Sequence, residues 1–313
     1  MTSPLRLLPL VPFLAVPVLA DTFGSGANEF TIDFVDIGDA GNADDNTGYG
    51  GVDYAYRMST YEISGAMIDS YNVLSGGPAI TRYAPFSADQ PATSVSWNEA
   101  ARFVNWLNTS SGYSAAYKFE TGGGNDNIAL WTGADAGYDA SNPFRNSNAY
   151  YFLPSEDEWY KAAYYDPSAN GGSGGYWDYA TGSDTAPTTT SGGTTAGTAV
   201  YRDGVNPNPP GPADITNAGG LSPYGTMAQN GNVWEWGESG FTAPNDSAGE
   251  SRVFRGGGWN SGSFGLASSD RFGDSPTSGS SAIGFRVAAV PEPSGAILTV
   301  VGMMGLLLRR KRV

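Results

Sequence analysis

The segment NGNVWEW, residues 230–236, concentrates groups that could do chemistry. It places the carboxylate of Glu235 between Trp234 and Trp236, behind two asparagines that flank Gly231. A carboxylate held between apolar rings could serve as an acid, a base or a ligand. The same pattern is typical of a structural segment in which the tryptophans are core anchors and the carboxylate is hydrogen-bonded to nearby backbone. The segment is therefore either reactive or structural.

Composition limits what a reactive segment could do. The chain of 313 residues contains no cysteine and no histidine. Thiolate nucleophiles, disulfides, cysteine-ligated metals, imidazole bases and histidine-ligated iron or zinc are therefore excluded. An enzyme built from this chain would depend on carboxylates such as Asp270 or Glu235 and on phenols such as Tyr224.

The charge balance limits the partners. Against 31 acidic residues the chain has 16 basic ones, which gives a net charge of −15. A field of this sign repels nucleic acid and anionic lipid. We expect no nucleic-acid binding.

The N-terminal residues 1–20 have the features of a secretory signal peptide. One early arginine precedes an apolar stretch that ends in small residues at Ala20, so cleavage is expected before Asp21. A buried helix is the alternative, and three prolines within the apolar stretch count against it.

The C-terminal residues 290–313 combine Pro291, Glu292 and Pro293 with an apolar run, Ser294 to Leu308, and a basic tail. Fifteen helical residues span about 22 Å, which is short for a hydrocarbon core of about 30 Å. The ending resembles the PEP-CTERM sorting signal of Gram-negative bacteria. The resemblance implies export, transient anchoring in the inner membrane, recognition by an exosortase, and a final place at the cell surface or in extracellular matrix. A plain membrane anchor is the alternative.

Two helices are marked by capping boxes. Ser96 with Glu99, and Ser155 with Glu158, each precede apolar residues at helical spacing. The expected inward positions are Ala100, Phe103, Val104 and Leu107 in the first helix and Trp159, Ala162 and Ala163 in the second. The acidic residues 156–158 fall in a first turn, where the helix dipole favours them.

Strand signals are short. EFTIDFVDI alternates apolar and polar residues, and IGFRVAAV is typical of a buried closing strand. The glycine-rich stretches 121–148 and 167–218 contain recurring aromatics, so we expect ordered loops on one core. The prediction is a single α+β domain over residues 21–289.

Six segments occur together in a recognisable order: YRMSTYEIS, PATSVSWNEAARFVNWL, YFLPSEDEWYKAAYY, SPYGTMAQNGNVWEW, FRGGGWNSG and GFRVA. In this order and spacing they resemble the sulfatase-modifying factor family, that of the formylglycine-generating enzyme. The likeness runs from about Phe30 to Ala289 and implies a loop-rich fold akin to C-type lectins.

The resemblance also implies which catalytic positions to check. In the formylglycine-generating enzyme two copper-binding cysteines follow the glycine-rich motif, and the matching positions hold Ser261 and Leu266. Another enzymatic branch uses three histidines on iron, and this chain has none. We therefore expect no copper, iron or zinc, and no activity of either kind.

A structural calcium is a further implication of the resemblance. Its ligands would be the carbonyls of Gly231 and Val233 and the carboxylate of Glu235. The family's remaining side-chain ligand falls at Ala228, a departure for which Asn230 or Gln229 could substitute. Core packing without an ion stays open as the alternative.

The family's substrate cleft supplies a second candidate site. Aromatic and polar side chains on loops suit glycan or peptide recognition. The alternative is that the aromatic residues pack inward and the arginine pairs with a carboxylate. The candidates are Trp259, Asn260, Ser261, Ser263, Phe264, Asp270 and Arg271.

Three functions remain. The leading hypothesis is an exported, non-catalytic binding or structural scaffold of the cell surface or matrix, with extracellular polysaccharide or peptide as its partner. The alternatives are an enzyme of the same fold with cysteine- and histidine-independent chemistry, and a carbohydrate-binding, lectin-like module.

Overall fold

The computed structural model describes residues 19–120, 128–204 and 209–291. The predicted signal peptide up to residue 18, and the predicted sorting segment after Pro291, lie outside the described residues. The helices are α1 (Gly65–Leu74), α2 (Trp97–Ser110), α3 (Glu156–Tyr164) and α4 (Ala169–Gly172), with short 3-10 helices at Gly26–Asn28 and Ser263–Leu266. The strands are β1 (Leu19–Phe23), β2 (Phe30–Ile37), β3 (Tyr56–Ser59), β4 (Lys118–Phe119), β5 (Ile128–Ala129), β6 (Tyr151–Phe152), β7 (Tyr165–Asp166), β8 (Gly175–Tyr176), β9 (Thr188–Thr189), β10 (Thr198–Ala199), β11 (Trp234–Gly240), β12 (Arg252–Arg255), β13 (Phe272–Asp274), β14 (Ile283–Gly284) and β15 (Ala288–Ala289).

Both predicted capping boxes are present. The Ser96 hydroxyl accepts from the Glu99 amide at 3.2 Å, and the Glu99 carboxylate accepts from the Ser96 amide at 2.9 Å. Ser155 and Glu158 make the same reciprocal pair at the start of α3. The predicted inward faces of α2 and α3 are buried, which confirms both helices.

The larger sheet has five strands in the order β1-β2-β3-β15-β6, and every neighbouring pair is antiparallel. The predicted alternating strand is β2, with Ile32, Phe34 and Ile37 buried. This sheet packs with α1 and α2 around the largest group of buried apolar side chains. The mixture of helices and strands confirms the α+β prediction.

The smaller main sheet has the order β13-β12-β11-β14, and β11 carries the end of the NGNVWEW segment. The single closing strand predicted for IGFRVAAV is wrong. That segment is buried, but β14 pairs with β11 while β15 pairs with β3 and β6 in the larger sheet. Between the two strands, Arg286 bonds both to Glu235 on β11 and to the carbonyl of Ser59 on β3, so it links the two sheets where the chain crosses.

The glycine-rich loops are ordered on the core where the structure describes them. Short strand pairs β4-β5, β7-β8 and β9-β10 punctuate them. The indole of Trp131 donates to the carbonyl of Ala116 at 2.9 Å, and the buried Tyr201 donates to the carbonyl of Pro187 at 2.7 Å. Over the described ranges, none of the helices has the length and apolar character needed to span a bilayer.

Candidate functional site

The carboxylate of Glu235 is committed to a buried ion pair. Arg286 donates from Nε at 2.5 Å and from Nη2 at 2.7 Å, and both side chains are wholly buried. The indole of Trp159 donates to the same carboxylate at 2.7 Å. Burying the Glu235 carboxylate without this ion pair would cost several kcal/mol of stability. The pairing with Arg286 offsets that cost.

The tryptophans of the segment pack as the structural alternative predicted. Trp236 is buried and donates to the carbonyl of Val95 at 3.0 Å. Trp234 is half-buried and meets Phe254 and Phe272 edge to face. The carboxylate differs in detail from that prediction, because its partners are distant side chains rather than nearby backbone.

The residues of this segment do not fit a calcium ion held through Glu235. The ion would share the carboxylate with a guanidinium 2.5 Å away, and the buried Ala228 offers no side-chain oxygen. The side-chain amide of Asn230 is buried, and neither its oxygen nor its nitrogen has a hydrogen-bond partner in the described structure. Within the described ranges no three Asp or Glu residues gather, so a calcium ion here would depend on backbone carbonyls and amide oxygens.

Asn232 connects this segment to the surface. Its backbone has φ 59°, a left-handed conformation that asparagine tolerates better than most residues. Its side-chain oxygen accepts from the amide of Ala213 at 2.8 Å, and its carbonyl accepts from the amide of Trp259 at 2.7 Å. One buried residue thereby fixes two segments, 210–214 and 257–261, relative to each other.

The side-chain amide of Asn232 also donates to Glu62 at 2.7 Å. Burial raises the pKa of Glu62 well above its usual range, and the nearby charge of Glu235 raises it further. Both effects favour the protonated form of Glu62 relative to its ordinary behaviour.

An open cleft of about 890 Å³ lies between the two surface segments 83–90 and 210–217, with Trp259 at its base. Phe86 meets Trp259 edge to face with ring centroids 6.4 Å apart, and Tyr83 meets Phe86 at 4.8 Å. The cleft is lined by Tyr83, Pro85, Phe86, Gln90, Ser191, Pro210, Gly211, Pro212, Ala213, Asp214, Asn217, Trp259, Asn260 and Ser281.

Two of the residues predicted for the binding cleft, Trp259 and Asn260, line this volume. The hydroxyl of Ser261 accepts from the amide of Gly258 at 3.0 Å and shapes the turn below them. Ser263 begins the 3-10 helix Ser263–Leu266. Phe264 does not line the cleft, and its side chain is 69% exposed. The predicted segment is therefore divided between the cleft and the surface beside it.

Asp270 and Arg271 belong to another environment. Arg271 forms a two-point pair with Glu156 at 2.7 and 2.8 Å, and Arg255 donates to the same carboxylate at 2.6 Å. The arginine is thus paired with a carboxylate, as the alternative interpretation predicted. Burial raises the pKa of Asp270.

The acidic turn 156–158 does more than complement the helix dipole. Glu156 forms ion pairs with both Arg255 and Arg271, and Glu158 makes a two-point pair with Arg145 at 2.9 and 2.7 Å. Burial alone would raise the pKa of Glu158, but Arg145 outweighs it and holds the pKa below its usual value. These arginine partners could not be predicted from the sequence, because they lie outside the helix-start pattern of residues 155–158.

The groups considered for catalysis do not meet in the cleft. Glu235 is paired with Arg286, Asp270 lies outside the lining, and Tyr224 donates to the carbonyl of Gly38 at 3.1 Å. The carboxylate in the lining is that of the exposed Asp214. This cleft suits binding better than acid–base chemistry, which needs converging titratable groups.

Most residues of the cleft wall were not predicted from the sequence. Residues 83–90 and 210–217 are distant in the chain, and no periodic pattern links them. Prolines at 85, 210 and 212 could have indicated rigid surface loops. Tertiary packing brings the two segments together. The side-chain amide of Gln90 donates to the carbonyl of Pro212, which lies 122 positions away in the chain.

The sequence matches a known protein family. Residues 46–290 match the family model described as the sulfatase-modifying factor enzyme 1-like domain. No curated protein matches the sequence.

Three solved structures share the fold. Treponema denticola variable protein 1 has 21% identity and a TM-score of 0.56, with 88% of this chain and 100% of that chain covered. CarF has 18% identity and a TM-score of 0.57, with 83% and 99% covered. PvdO from Pseudomonas aeruginosa has 16% identity and a TM-score of 0.52, with 88% and 100% covered. At such identities the likeness establishes the fold alone.

Proposed function

Because the chain belongs to the sulfatase-modifying factor family but has no cysteine or histidine, we propose that it is an exported, non-catalytic binding protein. The residues at the positions of the copper-binding cysteines are Ser261 and Leu266. The hydroxyl of Ser261 is used by the backbone of Gly258, and Leu266 is wholly buried. Neither side chain is a ligand for a soft metal.

The observation that carries the proposal is the chemistry of the cleft. Its wall combines aromatic rings, prolines, amides and hydroxyls with the single carboxylate of Asp214. Such a surface recognises a ligand by packing and hydrogen bonding. The carboxylates considered for catalysis, Asp270 and Glu235, lie elsewhere, and Glu235 is committed to Arg286.

The test is an oxidation assay on the full chain. The protein is incubated with a cysteine-containing, sulfatase-type peptide, copper(I) and oxygen, and the peptide is followed by mass spectrometry. An authentic formylglycine-generating enzyme serves as the positive control. We expect the peptide to stay unmodified with this protein; conversion of its cysteine to formylglycine would overturn the proposal.

Export is part of the proposal and rests on the two chain ends. Asp21, the first residue after the expected cleavage, pairs with the buried Arg57 at 2.7 Å and accepts from Tyr151 at 2.8 Å. Cleavage before Asp21 would leave these contacts intact. The exosortase-type machinery is the proposed partner of the segment around Pro291, Glu292 and Pro293, and extracellular matrix is the proposed destination.

The test of export is N-terminal sequencing of the protein recovered outside the inner membrane. The expected first residue is Asp21. Recovery of the protein with its first twenty residues attached, in the cytoplasm, would contradict export.

A further inference from the structure

We propose that the cleft between residues 83–90 and 210–217 binds an uncharged saccharide chain. The inference rests on the proposed function of the protein as a binding scaffold and adds the chemical class of the ligand. Four properties of the described residues carry it: the aromatic geometry, the charge of the lining, the hydrogen-bonding groups of the wall, and its rigidity.

The aromatic rings offer apolar surface in two orientations. Trp259 is half-buried against Val200, Ala213 and Met227, so the core fixes its ring. The ring of Phe86 stands at 86° to it. Sugar rings have apolar C–H faces that pack on such aromatic surfaces, while their edges keep hydroxyls free for hydrogen bonds.

The charge of the lining excludes anionic polymers. Asp214 is its carboxylate, and none of the lining residues is a lysine or an arginine. The whole chain carries a net charge of −15. A uronic-acid or sulfated chain would meet repulsion without a compensating cation in the cleft. The ligand that fits is therefore uncharged.

The wall favours a saccharide over a peptide strand. Pro85, Pro210 and Pro212 have no amide hydrogen, so these positions cannot donate to the backbone of an added strand. Polar side chains supply the hydrogen bonds instead, as recognition of sugar hydroxyls requires. They are Ser191, Asp214, Asn217, Asn260 and Ser281.

The cleft is held in one shape before any ligand arrives. The side chain of Gln90 accepts from the amide of Ser87 at 2.7 Å and donates to the carbonyl of Pro212 at 2.5 Å, which joins the two walls. Asn232 fixes Ala213 and Trp259 from below. A rigid site loses less conformational entropy on binding, which suits ligands whose individual contacts are weak.

The experiment is a calorimetric titration of the full chain with four probes: a neutral β-glucan hexamer, a neutral mannan hexamer, a polygalacturonate hexamer and a proline-rich decapeptide. The variants are Trp259→Ala and Phe86→Ala, and the matched control is Phe264→Ala, an exposed aromatic outside the lining. Trp259 also supports the core, so a loss of binding in Trp259→Ala has two explanations, a lost contact or a destabilised fold. Phe86 lies on a surface segment, and Phe86→Ala therefore tests the contact by itself.

We expect at least one neutral hexamer to bind, and Phe86→Ala to weaken that binding about tenfold, the loss of one aromatic contact. Phe264→Ala should bind as the native chain does. Binding of the uronate or the peptide in preference to both neutral hexamers, or no binding of either neutral hexamer, would overturn the inference. Neither result would contradict the proposal that the chain is a non-catalytic binding protein. Cleavage of a bound hexamer would support the ligand class and contradict the non-catalytic proposal.

Discussion

At the scale of single residues, the chain buries charges in matched pairs. Arg286 satisfies both oxygens of Glu235 and three of its remaining contacts reach backbone carbonyls at Ser59, Thr60 and Met227. A guanidinium presents a planar fork that suits this arrangement. The pair joins β11 to the crossing between the two sheets, so its role is structural.

Replacing Arg286 with methionine should lower the free energy of unfolding by about 3–5 kcal/mol, because it leaves Glu235 buried and unpaired. The matched control is Arg82→Met, which breaks a two-point pair with Asp69 at the surface and should cost less than about 1 kcal/mol. Urea unfolding followed by circular dichroism measures both. Equal costs for the two variants would contradict the structural role of the buried pair.

The same pair leads to a prediction about calcium. With Glu235 committed to Arg286 and Ala228 lacking an oxygen, calcium should not raise the melting temperature of the protein measurably above its value in excess chelator. Differential scanning calorimetry at constant ionic strength is the measurement. A large calcium-dependent rise would show that Asn230 and the carbonyls of Gly231 and Val233 hold an ion despite these contacts.

At the scale of elements, the two capped helices show which features can be predicted locally. Ser155 and Glu158 are three residues apart, so their reciprocal bonds follow from helix geometry alone. The pairing of Glu158 with Arg145 depends on where a loop thirteen residues earlier returns. Likewise IGFRVAAV was correctly predicted as buried, but its division between two sheets depends on the partners of Arg286.

The pairing of Glu158 predicts how stability depends on pH. Because the folded protein holds the pKa of Glu158 below its usual value, the pair stabilises the fold above the unfolded pKa, and this contribution is lost as the pH falls through the folded pKa. Glu158→Gln should therefore flatten the decline in unfolding free energy below roughly pH 5.

Ser155→Ala is the control for this prediction. It removes the other half of the same capping box and should cost about 1 kcal/mol without changing the pH dependence. Urea unfolding at a series of pH values compares both variants with the native chain. An unchanged acid profile in Glu158→Gln would mean that other carboxylates control the acid response.

For the molecule as a whole, the family fold is shown by the match of residues 46–290. The order of six motifs was enough to predict the fold. Trp259 and Asn260 line the cleft, whereas Asp270 and Arg271 lie outside its lining and Arg271 pairs with Glu156. The opposite walls of the cleft could not be predicted, because their contact is set by packing between distant loops.

We propose that this cleft is the saccharide-binding surface of the protein. The most direct measurement is hydrogen–deuterium exchange of the full chain with and without a neutral β-glucan or mannan. We predict slower exchange in residues 83–90, 210–217 and 257–261, and the loss of this protection in Phe86→Ala. Protection confined to other surfaces, or none at saturating polymer, would contradict the claim.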